Sequence, residues 1–412
     1  MTSNAIAVIG AGYGDEGKGL ATDFFSRHYN ATMVARGNGG AQAGHTVVDG
    51  DKRHVFGHVG SGAFAGVPTY LSSGFIANPY MLNKELKELG GRKRIYISPQ
   101  ARVTTYYDMA INSLIEIKRG QGRHGSCGMG INETVTRDIA GYRLDMQMIH
   151  GSEYGIKEAI LNIRDNWVPA RLAALDLRKE DFIGNEMAER YFEYFDHDVN
   201  DIVDDLMHYG QLMSLQNPKH FLSYEDNVVV EGAQGLMLDE FLGDFPHVTR
   251  SVTGLASSVR AAAECGRNSI RPVYMTRAYA TRHGAGELAY EGHEITDKGT
   301  PVDETNVHND WQGTIRYAPI NLHSLAWYIR EDMKRGRAVA QLFGVEVQEP
   351  KLFVTCLDQL GESVHIVTRN KDIIKIKSVK LLAYIEKVMG IEVCAASYGP
   401  SAVDVQLLHE VL

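Results

Sequence analysis

The sequence predicts an α/β protein with a large, mostly parallel central sheet, helices on both faces and a P-loop-like nucleotide site. A buried apolar strand at residues 5–9 runs into a glycine-rich loop and then into a helix start. Six or more predicted strands end in a glycine, hydroxyl or acidic loop, which is typical of an open parallel sheet with its site at the strand ends. We therefore predict one domain, 1–412, with a glycine-poor helical insertion at about 146–226 that covers the site or forms a dimer contact.

Composition limits the function classes. The apolar fraction of 44% is ordinary for a globular protein, and the net charge of −9 argues against a nucleic-acid groove. No apolar run reaches about 18 residues and no signal peptide is evident, so we expect a cytoplasmic protein without membrane contact. The cysteines form neither a zinc pattern nor a disulfide framework, which favours a reducing compartment: Cys127, Cys265, Cys356 and Cys394.

The first glycine-rich loop follows the first strand. Its spacing, Gly12-x4-Gly17-Lys18, matches a P-loop up to the lysine. Gly19 stands where a P-loop has the hydroxyl that helps to hold Mg²⁺, so the metal needs another oxygen ligand, and Asp15 is the candidate. The alternative is a tight turn with a solvated acidic pair.

Two more glycine-rich loops follow. A predicted strand at 31–36 leads to His45, which can donate to a phosphate or an oxyanion, although a lone histidine is more often a satisfied surface residue. The loop at 120–131 carries Ser126, with Arg137 and Arg143 beyond it as possible phosphate partners. The alternative for that loop is a flexible surface segment.

The remaining elements continue the pattern. Helical periodicity marks 80–89, and further strands are predicted at 72–79, 94–98, 227–235, 272–277, 351–358 and 391–397. Gln234, at one strand end, can read a purine edge through its amide, and hydroxyls near Thr249 can meet a phosphate. Asp358 can accept from a base or merely cap a helix, and the turn at 397–400 can pack on a base.

Together these residues resemble the adenylosuccinate synthetase family over most of the chain. The motifs that carry the resemblance occur in the family's order: Gly14–Gly19, Gly44–Thr46, 125–131, Glu231–Gly235, Pro246–Thr249, Thr281–Gly286, Thr355–Asp358 and Ser397–Pro400. The resemblance implies a homodimeric carbon–nitrogen ligase that joins L-aspartate to C6 of a purine nucleoside monophosphate, with a nucleoside triphosphate and Mg²⁺.

The resemblance also implies residue roles. Asp15 is the base that removes the N1 proton and a Mg²⁺ ligand beside the Gly44 carbonyl, while His45 and Lys18 offset phosphoryl charge. The implied triphosphate contacts are Gly14, Glu16, Gly17, Lys18, Gly19, Gly44, His45, Thr46, Asp358, Ser397, Gly399 and Pro400. The implied acceptor contacts are Asp15, Gln42, Ser126, Gln234, Thr249 and, across a dimer interface, Arg143. The implied aspartate contacts are Thr305, Asn306 and Arg316.

Three departures from the family pattern bear on substrate choice. Only Arg316 remains where the family has a run of arginines, Met129 replaces an arginine, and Cys356 replaces a lysine that lies along guanine. This divergence resembles the phage branch, so we expect dGMP with ATP or dATP to give N6-succino-2-amino-2′-deoxyadenylate, in the cytoplasm of a host. Asp15 is retained where some phage members carry serine, which keeps IMP with GTP as the alternative. A P-loop-like NTPase switch that forms no carbon–nitrogen bond is the alternative of another class.

Overall fold

The computed structural model describes residues 3–123, 125, 126, 128–301 and 313–412. Its strands are β1 (Asn4–Gly10), β2 (Met33–Arg36), β3 (Gly39–Gly40), β4 (His45–Asp49), β5 (Lys52–Phe56), β6 (Thr69–Leu71), β7 (Phe75–Ala77), β8 (Ile95–Ile97), β9 (Arg102–Val103), β10 (Ser214–Leu215), β11 (Val228–Gly235), β12 (Ser269–Arg277), β13 (Ala280–Arg282), β14 (Arg316–Ala318), β15 (Ile320–Asn321), β16 (Glu346–Val347), β17 (Lys351–Thr355), β18 (Ser363–Val367), β19 (Ile373–Lys377), β20 (Val393–Ser397) and β21 (Val405–Leu407).

The helices alternate with these strands along most of the chain. They are α1 (Lys18–His28), α2 (Pro79–Glu88), α3 (Tyr106–Arg119), α4 (Ile131–Ile139), α5 (Met146–Ile149), α6 (Glu153–Asn162), α7 (Val168–Ala174), α8 (Glu186–Glu193), α9 (Val199–Gly210), α10 (Leu255–Glu264), α11 (Leu322–Phe343) and α12 (Leu381–Met389). None of the helices in the described ranges is long and apolar enough to cross a membrane.

The central sheet confirms the predicted fold class. Eleven strands of the described residues join it in the order β10-β8-β6-β2-β11-β1-β12-β17-β20-β21, with β16 beside β12. Every pairing in it is parallel except that of β20 with β21. The carboxyl ends of the parallel strands therefore lie at one edge, where a ligand site is expected.

Strand β1 shows why helices cover both faces of the sheet. Its side chains alternate, and all of them are buried after Asn4. Ala5, Ala7 and Ile9 belong to the apolar cluster that holds α10 and α11. Ile6 and Val8 belong to a separate cluster with Phe25 of α1. A strand with neighbouring strands on both sides and helices on both faces must be apolar throughout, and residues 5–9 are all apolar in the sequence.

Residues 146–210 are mostly helical, as the composition of 146–226 indicated. Helices α5 to α9 contribute to a second apolar cluster that also includes Leu82 of α2 and Leu114 of α3. After α9, the two residues of β10 pair with β8 at the edge of the central sheet. This helical layer thus packs on α2 and α3.

One sequence prediction is wrong in this region. Arg137 is fully buried, so it is not placed to supply charge to a phosphate. Its guanidinium pairs with Asp108 at 2.9 Å and donates to the carbonyl oxygens of Val103 and Tyr142. The arginine binds α4 to α3 because a buried charge requires such partners.

Candidate active site

The loop after β1 has the backbone of an anion site. Gly14 and Gly17 have positive φ angles of 95° and 85°, and Asp15 between them has a φ of 62°. A left-handed backbone is unfavourable for a residue with a Cβ and marks a position that its surroundings hold in place. The Asp15 carbonyl accepts a hydrogen bond from Arg277 Nε, which braces this turn from the end of β12. The Asp15 side chain is about a quarter exposed, at 25%.

Glu16 occupies the interior of that loop. Its carboxylate accepts from the N–H groups of Gly12 and Gly14, at 3.0 and 2.9 Å, and lies 2.7 Å from Lys18 Nζ. Both side chains of the Glu16–Lys18 pair are buried. These donors are of the type that a glycine-rich loop directs at phosphate. A phosphate that binds Lys18 therefore has to share the ammonium with Glu16 or displace it.

Gly19 brings the second loop against the first. A Cβ at this position would lie 2.7 Å from the Thr46 carbonyl oxygen and 3.1 Å from His45 Cβ. Backbone at such a distance leaves no space for a side chain. The first turn of α1 can therefore lie directly on residues 45 and 46, which explains physically why glycine stands where a P-loop has a hydroxyl. Lys18 also lies close enough to His45 to lower its pKa.

His45 is held by a buried carboxylate. Its Nδ1 lies 2.6 Å from Oε1 of Glu231, which is fully buried in the middle of β11. The other partners of this carboxylate are the N–H and hydroxyl of Ser61 and the guanidinium of Arg36, whose Nε lies 3.7 Å away. Glu231 thus fixes the orientation of the imidazole, in the manner of an orienting carboxylate in catalytic sites.

The electrostatics of this pair follow from burial and charge. Burial alone would raise the pKa of Glu231, but Arg36, His45 and Ser61 outweigh it and hold this pKa at about 2. Burial lowers the pKa of His45, against the opposite effect of Glu231. The carboxylate is therefore ionised, and the neutral imidazole carries its proton on Nδ1 and leaves Nε2 for a substrate.

Two predicted acceptor contacts, one beside each of the first two glycine-rich loops, have unused polar atoms. Both amide atoms of Gln42 and the Oε1 of Gln234 are buried and have no hydrogen-bond partner within the described part of the chain. A Cβ at Gly14 would lie 3.7 Å from Gln234 Cα, and one at Gly39 would lie 3.6 Å from Gln42 Nε2. Buried polar atoms normally have partners, so these amides suit a ligand that supplies them.

Ser126 and Thr249 make local hydrogen bonds. The Ser126 hydroxyl donates to Asn112 of α3 at 2.8 Å, which ties the third loop to that helix. The Thr249 N–H donates to the Leu238 carbonyl. The structure thus gives each a role in loop geometry, and their contact with an acceptor remains a prediction.

The two predicted arginine contacts differ in exposure. The Arg143 side chain is 60% exposed, pairs with Asp145 and lines a surface groove of about 760 Å³. Arg316 donates to the carbonyl oxygens of Gly284 and Gly286 and pairs with Glu291 at 2.8 Å. Arg316 therefore holds the loop after β13, whatever else it binds. Thr305 and Asn306, the other predicted aspartate contacts, lie outside the described residues.

The predicted donor-base residues converge at the ends of neighbouring strands. Asp358 follows β17, and Ser397 ends β20, which pairs with β17 in parallel. The Ser397 hydroxyl donates to the Gly399 carbonyl at 2.6 Å. Burial and, to a lesser extent, the charge of Asp404 raise the pKa of Asp358, and Asp404 also abuts Gly399. Asp358 and the turn at 397–400 thus border one surface.

The residues present fit Mg²⁺ better than a metal that needs many protein ligands. Among the residues that the structure describes, no three or more His, Cys, Asp or Glu side chains are grouped to hold a metal ion. Mg²⁺ usually takes one or two carboxylates, with water and phosphate oxygens as its other ligands. The carboxylate of the partly exposed Asp15 and the backbone carbonyl of the exposed Gly44 offer oxygen ligands of the kind that Mg²⁺ prefers.

Comparison with known proteins decides the family. The model of the adenylosuccinate synthetase family matches residues 7–309. The chain belongs to the adenylosuccinate synthetase family. Members of this family are carbon–nitrogen ligases. The adenylosuccinate synthetase of Ralstonia nicotianae is 30% identical over 315 residues, and that of Aspergillus niger is 33% identical over 301. These alignments cover 73% and 71% of this chain and 66% of each relative, so the chain spans about two thirds of their length.

Two solved structures share the fold. The fully ligated adenylosuccinate synthetase of Plasmodium falciparum aligns with a TM-score of 0.70 at 18% identity, over 98% of this chain and 99% of its own. The succinoaminodeoxyadenylate synthetase of cyanophage S-2L, bound to dGMP and dATP, aligns with a TM-score of 0.57 at 15% identity, over 99% and 96%. At these identities the likeness shows the fold alone.

Sequence reasoning quoted Glu231 within a motif but gave it no role. The sequence pattern indicates a special role for Glu231, because its carboxylate follows three apolar valines in a strand that is buried. Arg36, Ser61, Arg277 and His283 were also missed as members of the site. Their contacts join segments far apart in the chain, and a single sequence does not report such contacts.

The Glu231 carboxylate gives a pH prediction. Because its folded pKa lies below the ordinary value of 4.5, its ionisation stabilises the fold above about pH 4.5, and this stabilisation is lost as the pH falls toward 2. Glu231→Gln should lower the free energy of unfolding at pH 6, and the difference from wild type should shrink between pH 5 and pH 3. Urea unfolding at each pH measures it.

The control is Glu346→Gln, which removes an exposed carboxylate on β16 and should follow wild type across the range. Parallel stability curves for wild type and Glu231→Gln would mean that folding does not lower the pKa of Glu231.

Proposed function

We propose that this chain joins L-aspartate to C6 of a 6-oxopurine nucleotide through a 6-phosphoryl intermediate, with hydrolysis of a nucleoside triphosphate. The observation that carries the proposal is the contact of Gly19 with His45 and Thr46. This contact makes one site from the loop that bears Asp15 and Lys18 and the loop that bears His45. Membership of the family supports the same reaction class.

The chemistry needs these groups because the purine O6 is a poor leaving group. Asp15 accepts the N1 proton, and the resulting negative charge makes O6 a nucleophile. O6 attacks the γ-phosphorus, and the bond from that phosphorus to the β,γ-bridging oxygen breaks to release the nucleoside diphosphate. Lys18 and the loop N–H groups offset charge on the phosphates. The negative charge of the bound phosphates favours the protonated form of His45, whose Nε2, with the ring held by Glu231, then donates toward the transferring group. The aspartate amine then attacks C6, and the C6–O bond breaks to release phosphate.

Mg²⁺ belongs to the same proposal. When bound, it supplies positive charge at the phosphates. The Asp15 carboxylate and the Gly44 carbonyl are the groups of this chain that would hold it. We also propose a homodimer in which the exposed Arg143 reaches the phosphate of the acceptor nucleotide bound to the partner subunit. We further propose that L-aspartate binds to Thr305, Asn306 and Arg316.

The preferred substrates are dGMP with ATP or dATP. The support lies in the donor pocket, where Cys356 has replaced the lysine of the family pattern. Burial raises the pKa of the Cys356 thiol, so this position offers no charge to the donor base. The cyanophage S-2L enzyme, which shares the fold, is bound to dGMP and dATP. The second candidate is IMP with GTP, which the retained Asp15 and the similarity to curated adenylosuccinate synthetases favour.

Product analysis tests the function and ranks the substrates. The enzyme, L-aspartate and Mg²⁺ should convert dGMP with ATP or dATP into a succino-purine nucleotide that chromatography separates from dGMP. Turnover of IMP with GTP and none of dGMP would overturn the preference. Phosphate release that needs no aspartate, without a succino product, would instead identify an NTPase of another class.

Asp15→Asn tests the proposed base. Asparagine keeps the shape of aspartate and tolerates the left-handed backbone at this position, whereas alanine would add strain. Loss of a general base typically costs about 10²–10⁴-fold in rate, so product formation should fall by that factor. Triphosphate affinity, measured by calorimetry, should change by less than about threefold if the loop is intact.

The control is Asp51→Asn, an exposed aspartate in the turn between β4 and β5, which should keep wild-type activity. An Asp15→Asn enzyme with near-normal turnover would remove Asp15 from the role of base.

A further inference from the structure

His283 has no role in the mechanism above, yet it lies beside the proposed base. Its Nδ1 is 3.7 Å from Oδ2 of Asp15, and its side chain is only 13% exposed. Its other ring nitrogen, Nε2, is buried and has no hydrogen-bond partner in the part of the chain that the structure describes. A buried nitrogen of this kind normally has a hydrogen-bond partner, so we expect a ligand to provide it.

The segments that hold His45 and His283 belong to strands on opposite sides of β1 in the sheet. Strand β1 lies between β11 and β12. His45 is bound by Glu231 on β11, whereas His283 follows β13, shortly after the end of β12. Asp15 follows β1 itself, and its carbonyl is held by Arg277 at the end of β12.

The backbone around His283 is fixed by buried or partly buried arginines. Arg282 donates to the carbonyl oxygens of Ala285 and Glu287, and Arg316 donates to those of Gly284 and Gly286. The Arg282 guanidinium also lies over the Tyr13 ring, 4.2 Å from its centroid. His283 is therefore held on a rigid turn, which a residue that distinguishes similar substrates requires.

The geometry of a 6-oxopurine suggests that one histidine lies near O6 and the other near C2. N1 lies between C6, which carries the oxygen, and C2. If Asp15 accepts the N1 proton, and O6 faces the triphosphate near Lys18 and His45, then C2 faces the opposite side. His283 comes after β12, the neighbour of β1 on the side away from Glu231 and β11, so it is the histidine to be expected near C2.

We propose that His283 determines specificity at the purine 2-position, its Nε2 accepting a hydrogen bond from the 2-amino group of a guanine-type acceptor. The inference rests on the proposed function and narrows its acceptor class. Nδ1 faces the Asp15 carboxylate at 3.7 Å, so an N–H donor at that nitrogen leaves the lone pair of the ring on Nε2. Hypoxanthine has only a C–H bond at C2 and leaves Nε2 unpaired. A site with a buried hydrogen-bonding group discriminates against an analogue that lacks the matching group.

Binding of dGMP and dIMP tests this inference, because these nucleotides differ only in the 2-amino group. Calorimetry on the wild-type protein should give a Kd for dGMP at least about tenfold lower than that for dIMP, the size expected for one buried hydrogen bond. His283→Leu, which keeps bulk without a polar atom, should raise the Kd for dGMP about tenfold and bring the two values within about threefold. His283→Gln, whose amide can replace Nε2, should retain most of the preference.

The outcomes separate this inference from the proposed function. Equal wild-type affinities for dGMP and dIMP, or a parallel loss of both in His283→Leu, would overturn the role of His283 while the succino product still forms. Absence of product with every nucleotide pair would overturn the proposed function, whatever the two affinities. If His283→Leu fails to fold, His283→Asn, whose shorter amide does not reach the Nε2 position, carries the same expectation.

Discussion

The site depends on the contact between the first turn of α1 and the backbone of His45 and Thr46. Only glycine at position 19 permits it, since any Cβ there would collide with the Thr46 carbonyl. With Gly19, the loop lacks the metal-binding hydroxyl of an ordinary P-loop, but a second loop can approach it closely. In the reaction we propose, Asp15 therefore holds the metal in place of that hydroxyl, and the second loop brings His45 to the phosphates.

Buried charge keeps the second loop in place. Glu231 lies at the base of the site, accepts from His45 and Ser61, and is balanced by Arg36, itself fully buried. Such a network is costly to leave incomplete, because each charge loses its hydration and depends on the others. Its benefit is a fixed imidazole orientation. The same reasoning explains why this carboxylate lies on a strand that begins with three buried valines.

Much of the fold could be predicted because it depends on local pattern. The apolar run of β1, the glycine turns and the polar strand ends indicated a parallel sheet and the order of the loops. The β4–β5 hairpin was missed although its two turn residues, Gly50 and Asp51, form a common turn dipeptide. Contacts between distant segments were beyond the sequence: Arg137 looked available and is buried on Asp108, while His283 looked ordinary and lies beside Asp15.

Positional isotope exchange tests most directly whether the two loops act as one site on the purine oxygen. ATP labelled with ¹⁸O at the β,γ-bridge is incubated with the enzyme, Mg²⁺ and dGMP, with L-aspartate left out. Reversible transfer of the γ-phosphoryl group to O6 lets the β-phosphate of bound ADP rotate, so the label should spread to the β-nonbridging positions only when dGMP is present. A label that stays in the bridge with either dGMP or IMP, in an enzyme that still forms the succino product with aspartate, would contradict the account.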